Sequence, residues 1–386
     1  MAGVAQRRVF MALAQAQPDP IPGPLIVSGF LSETRGLSQA ARLTLAGLRS
    51  AGFAPIEHDL RVLLAAGPGH KARLPAEPPG GVWISHVNAP EVLQALGYLD
   101  PSSWLDRYRI GYWVYELQRV PDSWVRVSRA FHEIWTPSQF VADALLAAGV
   151  RVPVRVMPHP VALAGLKAVP DRAAFKIPPN DFTVLAMGDL TSSAARKNIV
   201  GAIAIYKRAF PEPGRQRLVL KVQATDPHPS MQAEIEKAAG GRPDISWRSE
   251  SFSIEDTLKL IASCDVLLSP HRSEGYGLPL AEAFLLGVPA LATGWSGNMD
   301  FMGGIPELLI RHDPVVVQDP YGIYRMPGQT WAEPDVADAA KKLRALAGSS
   351  ELRIKLAAQG RAGVEAQAAF WSRAELEKTA LGRLVK

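Results

Sequence analysis

Two glutamates with seven residues between them, Glu274 and Glu282, frame the part of this 386-residue chain best suited to chemistry. Between them run Gly275-Tyr276-Gly277-Leu278-Pro279, within the stretch Ser269–Asp300. Pro279 fits the first turn of a helix, where its missing N–H costs nothing. The N–H groups of such a helix start, with the positive end of the helix dipole, favour an anion such as a phosphate. Gly275 and Gly277 carry no Cβ, so the backbone can approach a ligand closely. Two carboxylates beside a phosphate need hydrogen-bond donors, and the hydroxyls of a ribose or another sugar supply them. The pattern asks for a ligand with phosphates flanked by polyols, the chemistry of a nucleotide sugar.

A second set of charged groups stands upstream. Arg196-Lys197 lies at the start of a helix expected to run to about Phe210, after a strand over Thr183–Asp189 that contains Gly188. Adjacent cations at a helix start oppose the dipole and need an anion beside them. Arginine forks onto two phosphate oxygens while lysine adds a compact charge. Lys221, on an expected strand Leu218–Val222, is a further candidate for the same side. His86 follows the strand Val82–Ser85, at the carboxyl end of a strand where open α/β sheets bind ligands. It reads either as a polar ligand or proton carrier near neutral pH, or as a structural histidine capping the strand. Glu116 is expected to end a strand over Arg109–Glu116 on the same side, as a hydroxyl ligand or as a surface carboxylate. Ser138 reads as a helix N-cap.

The elements that must position these groups are legible around the glutamates. Val266-Leu267-Leu268 is an apolar run of the kind found in buried parallel strands. Gly287 and Pro289 end the helix that Pro279 begins. A second strand over Val288–Thr293 closes a βαβ unit.

Glu274-Gly-Tyr-Gly-Leu-Pro…Glu282, followed by Gly-Val-Pro, resembles the signature of the retaining GT-B glycosyltransferases of family 4, the glycosyl transferases group 1 type. The likeness extends over roughly residues 22–386 and is most specific at 269–300 and 183–200. It implies an α/β protein with two Rossmann-like doubly wound domains facing across a cleft. The expected order is a flexible tail over 1–22, an acceptor domain over 23–165 and a linker over 166–180. A nucleotide-sugar-binding domain over 181–365 follows, then a C-terminal helix over 366–386 that crosses back to the first domain.

The resemblance implies donor contacts from Gly36, Gly188, Arg196, Lys197, Glu274, Gly275, Tyr276, Gly277, Leu278 and Glu282. It gives catalytic roles to Glu274, His86, Lys197 and Arg196, and puts Glu116 and Asn88 towards the acceptor. The implied reaction moves a sugar from a nucleotide diphosphate sugar to a glycan or lipid-linked acceptor, with retention and with neither metal nor cofactor. The chain has no Asp-x-Asp metal motif. Many family members carry Arg or Lys where this chain has Asp189. A GT-B nucleotide-sugar epimerase and an inactive binding subunit are the alternatives.

Composition fits this frame. A chain of 386 residues, 47% of them hydrophobic, is long enough for two cores. Its net charge of +5 favours acidic ligands or an anionic membrane surface, so peripheral contact with a membrane is an expectation. No run of four Lys or Arg occurs, which argues against nucleic acid. The single Cys264 excludes an internal disulfide framework. No segment is apolar enough for a transmembrane helix. The apolar run after Arg7-Arg8 is too short for a signal core, and a cytoplasmic location is expected.

Overall fold

The computed structural model describes residues 13, 19–33, 36–61, 73–75, 79–189, 193–223, 229–320, 322–324 and 326–386. Residues 1–12 and 14–18 of the tail expected over 1–22 lie outside them. The chain forms two compact units, Met1–Ala164 with Gln367–Lys386, and Gly165–Ala366.

The first unit is built on six parallel strands: β1 (Leu25–Gly29), β2 (Ile56–Asp59), β3 (Val82–Ser85), β4 (Tyr108–Tyr112), β5 (Glu133–Thr136) and β6 (Val154–Val156), ordered β2-β1-β3-β4-β5-β6. The order reverses between β1 and β3, so the carboxyl ends of these two strands flank a topological switch point. Helices α1 (Gly36–Ser50), α2 (Ala89–Tyr98), α3 (Asp122–Ser128) and α4 (Gln139–Ala147) make the connections. Ser138 caps α4, its hydroxyl accepting from the Val141 N–H. Alternate residues on the strands, Leu25 and Val27, Val82 and Ile84, Ile110 and Tyr112, share one buried face. That face is completed by the end of the chain: Trp371, Leu376, Leu381 and Leu384 belong to the same core. The Gly23 N–H donates to Leu384 O at 2.9 Å, and the Trp371 ring meets Trp135 edge-on.

The second unit repeats the plan. Strands β7 (Phe182–Asp189), β8 (Gln216–Gln223), β9 (Ile245–Arg248), β10 (Val266–Ser269), β11 (Ala290–Thr293) and β12 (Leu309–Ile310) form a parallel sheet ordered β12-β11-β10-β7-β8-β9. Here the switch point lies between β7 and β10. A separate antiparallel hairpin pairs β13 (His312–Val316) with β14 (Thr330–Pro334). The helices are α5 (Ala194–Lys197), α6 (Ile199–Ala209), α7 (Pro229–Ala239), α8 (Ile254–Ala262), α9 (Leu278–Leu285), α10 (Met299–Met302), α11 (Val336–Gly348) and α12 (Ser350–Ala366). Residues 166–180, read from sequence as a linker, pack into this unit. The Arg172 guanidinium holds the Asp265 carboxylate at 2.7 Å, and the Asp171 N–H donates to Ser263 Oγ at 2.8 Å.

Three local expectations change. The strand leading to Glu116 stops at Tyr112, because the Val114 N–H is claimed by Asn88 Oδ1 at 3.0 Å instead of by a neighbouring strand. The helix expected to begin at Arg196 is two helices, broken at Asn198, whose backbone is left-handed with φ 55°. β11 begins at Ala290, not Val288: the Val288 N–H returns to Ala283 O and the Gly287 N–H to Phe284 O, with Gly287 at φ 80°, a Schellman ending of α9. Among the described residues no helix is long and apolar enough to cross a membrane.

Candidate functional site

The chain leaves β7 after Gly188-Asp189 and β10 after Ser269, the two strand ends that flank the second unit's switch point, where open α/β sheets take their ligands. The connection from β7 carries α5, a single turn bracketed by two left-handed residues, Ser193 at φ 69° and Asn198 at φ 55°. The Asn198 side chain accepts from the Gly201 N–H and donates to Pro270 O at 3.0 Å, tying α5 to the loop that follows β10. Gly188 lets this happen: a Cβ there would lie 3.0 Å from Ile199 Cδ1, the first residue of α6.

The β10 loop is fastened from beneath. His271 is fully buried, with Nε2 3.1 Å from Asn298 Oδ1 and Nδ1 3.1 Å from Ser269 Oγ. Burial lowers its pKa, and the nearby Glu274 only partly opposes this. With a neutral ring, Nε2–H donates to Asn298 and Nδ1 accepts the Ser269 hydroxyl. The Glu274 N–H donates to Ser296 Oγ at 2.8 Å, and the Gly297 N–H to Glu274 O at 2.9 Å. Gly297 is required there, since a Cβ would lie 2.2 Å from Gly275 O.

These supports bring three of the expected residues into contact. Lys197 Nζ is 2.6 Å from Glu274 Oε1, and Arg196 Nη1 is 3.1 Å from Glu274 Oε2. Arg196 also donates to Ser273 O at 2.9 Å. Burial alone would raise the Glu274 pKa, but Lys197 and Arg196 outweigh it and hold the carboxyl at about 2. The anion that the adjacent cations require is therefore supplied by the chain itself. Both cations thus face the single Glu274 carboxylate. Lys197 and Glu274 line a small pocket with Met187, Ser269, Gly277 and Pro279. Gly277, at φ 96°, is the N-cap of α9 and offers no side-chain cap, which leaves the helix start open to a ligand.

Glu282 lies one turn into α9, 8% exposed, and its carboxylate has no hydrogen-bond or ion-pair partner among the described residues. Burial raises its pKa to about 7. The Tyr276 ring is 2% exposed and packed on Phe301 at 5.2 Å, because the apolar interior is the better environment for an aromatic ring. Gly275 and Leu278 contribute backbone to the same loop and helix start. Lys221 Nζ donates to Glu250 O at 3.0 Å and lies over the Phe252 ring; burial lowers its pKa, with Glu250 and Asp189 opposing. The acidic residue at 189 thus has a cation in its field.

The remaining expected residues belong to the first unit. His86 follows β3 at that unit's switch point, 1% exposed, stacked on Tyr112 at 4.2 Å, with both ring nitrogens buried and without a hydrogen-bond partner among the described residues. Burial, then the neighbouring His159, drives its pKa well below the ordinary value, which favours the neutral imidazole. The Tyr112 hydroxyl donates to Met157 O at 2.6 Å and receives His159 Nδ1 at 2.9 Å. Asn88 is the N-cap residue of α2, and its Oδ1 holds the segment before Glu116. Glu116 sits in that segment, four residues beyond the end of β4 and partly exposed. Gly36 is the exposed first residue of α1.

Sequence reasoning gave no role to His271, Arg272 or Asn298, although all three lie in Ser269–Asp300. Their buried hydrogen bonds to partners distant in sequence carry no local signal.

Residues 142–376, more than half of the chain, match the family described as family 4 glycosyltransferase in conflict systems. No curated protein sequence matches the chain. Among solved structures, sucrose-phosphate synthase from Thermosynechococcus elongatus superposes with a TM-score of 0.62 at 14% identity, covering 93% of this chain and 97% of that one. Anabaena HepE, solved with UDP and glucose, gives 0.58 at 13% identity, covering 92% and 98%. The Escherichia coli trehalose-6-phosphate structure bound with UDP-2-fluoro glucose gives 0.59 at 12% identity, also covering 92% and 98%. At these identities the structures speak for the fold, which is two-domain α/β of the GT-B type. The match over 142–376 adds the family, and the chain belongs to the family 4 glycosyltransferases of conflict systems.

Proposed function

We propose that this glycosyltransferase moves a hexosyl group from a nucleoside diphosphate sugar to a hydroxyl of a glycan or lipid-linked acceptor, with retention and without a metal ion. The observation that carries the reading is the Arg196–Lys197–Glu274 cluster beside the uncapped start of α9. Two adjacent cations beside a helix start suit a diphosphate, whose oxygens would meet Arg196, Lys197 and the start of α9. A nucleoside diphosphate is a weak base, so its departure needs charge neutralisation more than a proton. As the diphosphate engages Arg196 and Lys197, Glu274 is freed to accept hydroxyls of the transferred sugar and to face the positive charge that develops on its ring. Glu282, with a pKa near neutrality and no competing partner, would take ribose hydroxyls.

The nucleotides in the HepE and E. coli structures support the donor class. Retention by front-face attack, metal independence and the roles of Gly36, His86, Asn88 and Glu116 rest on the family resemblance. A cytoplasmic enzyme with peripheral membrane contact follows from the donor chemistry and the net charge of +5.

A thermal-shift panel of nucleoside diphosphates and their sugars tests the reading. A ligand at a hundred times its dissociation constant stabilises by about 2.7 kcal/mol. If no nucleoside diphosphate shifts the transition, the donor assignment falls. Proton NMR of the product anomeric centre tests retention, and turnover in EDTA tests metal independence.

A further inference from the structure

Between His271 and Glu274 stands a third cation, Arg272, which the proposed function does not use. Its Nε and Nη2 grip the Glu333 carboxylate on β14 at 2.5 and 3.1 Å, and its Nη1 donates to Ala195 O in α5. Its backbone joins the same elements. The Arg272 N–H donates to Arg196 O at 2.8 Å, and Arg272 O accepts the Ala332 N–H at 2.9 Å. The guanidinium also lies over the Trp331 ring, 5.6 Å from its centroid. One residue therefore ties the one-turn helix α5 to the β13–β14 hairpin.

The need for such a tie follows from α5 itself. Four residues between two left-handed breaks cannot hold a direction through helical hydrogen bonds alone. Besides the bonds of Arg196 and Lys197 themselves to Ser273 O and Glu274, its backbone and flanks are tied by the Asn198–Pro270 bond and the two bonds to Arg272. Yet α5 carries Arg196 and Lys197, whose distances to Glu274 depend on where that turn sits. The charge of Arg272 is already matched by Glu333, which makes it a poor candidate for a phosphate ligand.

We infer that Arg272 and Glu333 form a positioning pair, which sets the Arg196–Lys197 cations for the donor diphosphate and makes the β13–β14 hairpin part of the donor site's frame. This rests on the donor reading above. The test uses the full chain, with UDP, GDP and ADP as probes and the corresponding monophosphates as controls. Calorimetry and thermal melting are run on wild type, Glu333→Gln and Arg272→Lys. Both variants keep a hydrogen-bonding group but lose the paired fork.

The expected result is diphosphate affinity lowered about tenfold, as for a site misplaced by a fraction of an ångström, with monophosphate affinity and melting unchanged. Unchanged diphosphate affinity overturns the inference. So does tighter diphosphate binding by Glu333→Gln, which would mean that Arg272 is a phosphate ligand restrained by Glu333. Equal losses for mono- and diphosphates together with lower melting would make the pair a structural strut only, and also overturn it. If wild type binds no nucleoside diphosphate, the donor reading fails first and takes this inference with it, an outcome visible before any variant is made.

Discussion

Glu274→Gln removes the negative charge that the buried Arg196 and the half-buried Lys197 share. In the folded protein the Glu274 carboxyl titrates at about 2, against an ordinary 4.5. At about 1.4 kcal/mol per pH unit, that difference is worth about 3 kcal/mol of folding stability at pH 7. The sign is that of a depressed acid. The stabilisation is fully present above pH 4.5 and is lost as pH falls towards 2. The side chain is only 12% exposed, so solvent screening removes little of it. Urea unfolding followed by tryptophan fluorescence should therefore find the variant about 3 kcal/mol less stable at pH 7, and the gap less than half as large at pH 3. Pyrophosphate should stabilise the variant more than wild type, because an added anion can take the vacated place between Arg196 and Lys197. Equal stability of variant and wild type at pH 7 would refute the reasoning. A gap independent of pH would show that it comes from something other than the ion pairs.

Lys197→Ala should lower transfer about a hundredfold, the scale for losing one charge-stabilising group at a reacting centre, with the fold intact by circular dichroism; turnover near wild type would remove Lys197 from the diphosphate. Glu282→Gln should change stability in the opposite sense to Glu274→Gln. The Glu282 pKa is raised by burial from 4.5 to about 7, so stability is lost as pH rises through that window, and the amide should gain about 3 kcal/mol at pH 8 and almost nothing at pH 4. Equal melting of the two proteins at pH 8 would contradict the buried carboxylate. His86→Ala should slow transfer more than it weakens nucleotide binding, and the wild-type rate should carry no histidine titration between pH 6 and 8; a rate equal to wild type would return His86 to a purely structural role.

The β10–α9–β11 unit was legible because its punctuation is local. The apolar run before Ser269, Pro279 at the helix start and Gly287 at its end act through a few neighbouring residues. The adjacent Arg196 and Lys197 ask for an anion that the sequence assigns to a ligand, whereas in the fold Glu274 lies against both. Glu274 is 77 residues away in the chain, as the Lys197–Glu274 bond spans, and sequence reasoning reserved that carboxylate for hydroxyls. The β13–β14 hairpin was missed because 313–334 is rich in proline and glycine. A two-stranded ribbon tolerates Pro314 and Pro334 where a central strand would not. The Glu116 strand was drawn too long because Trp113 and Val114 continue the apolar run. What stops it is a side chain, Asn88, reaching back from another connection.

The first unit's core has an implication for the order of events during synthesis. Its sheet is made from residues 25–156, but the apolar face of that sheet is closed by Trp371, Leu376, Leu381 and Leu384. On the ribosome the first half of the chain emerges with Val27, Ile84, Ile110 and Trp135 lacking their final cover, while residues 165–366 contain everything their own sheet needs. Domains of a nascent chain commonly fold in the order they appear. Here the sheet of residues 25–156 gains its full cover only once residues 371–384 have emerged, and residues 165–366 emerge inside that interval.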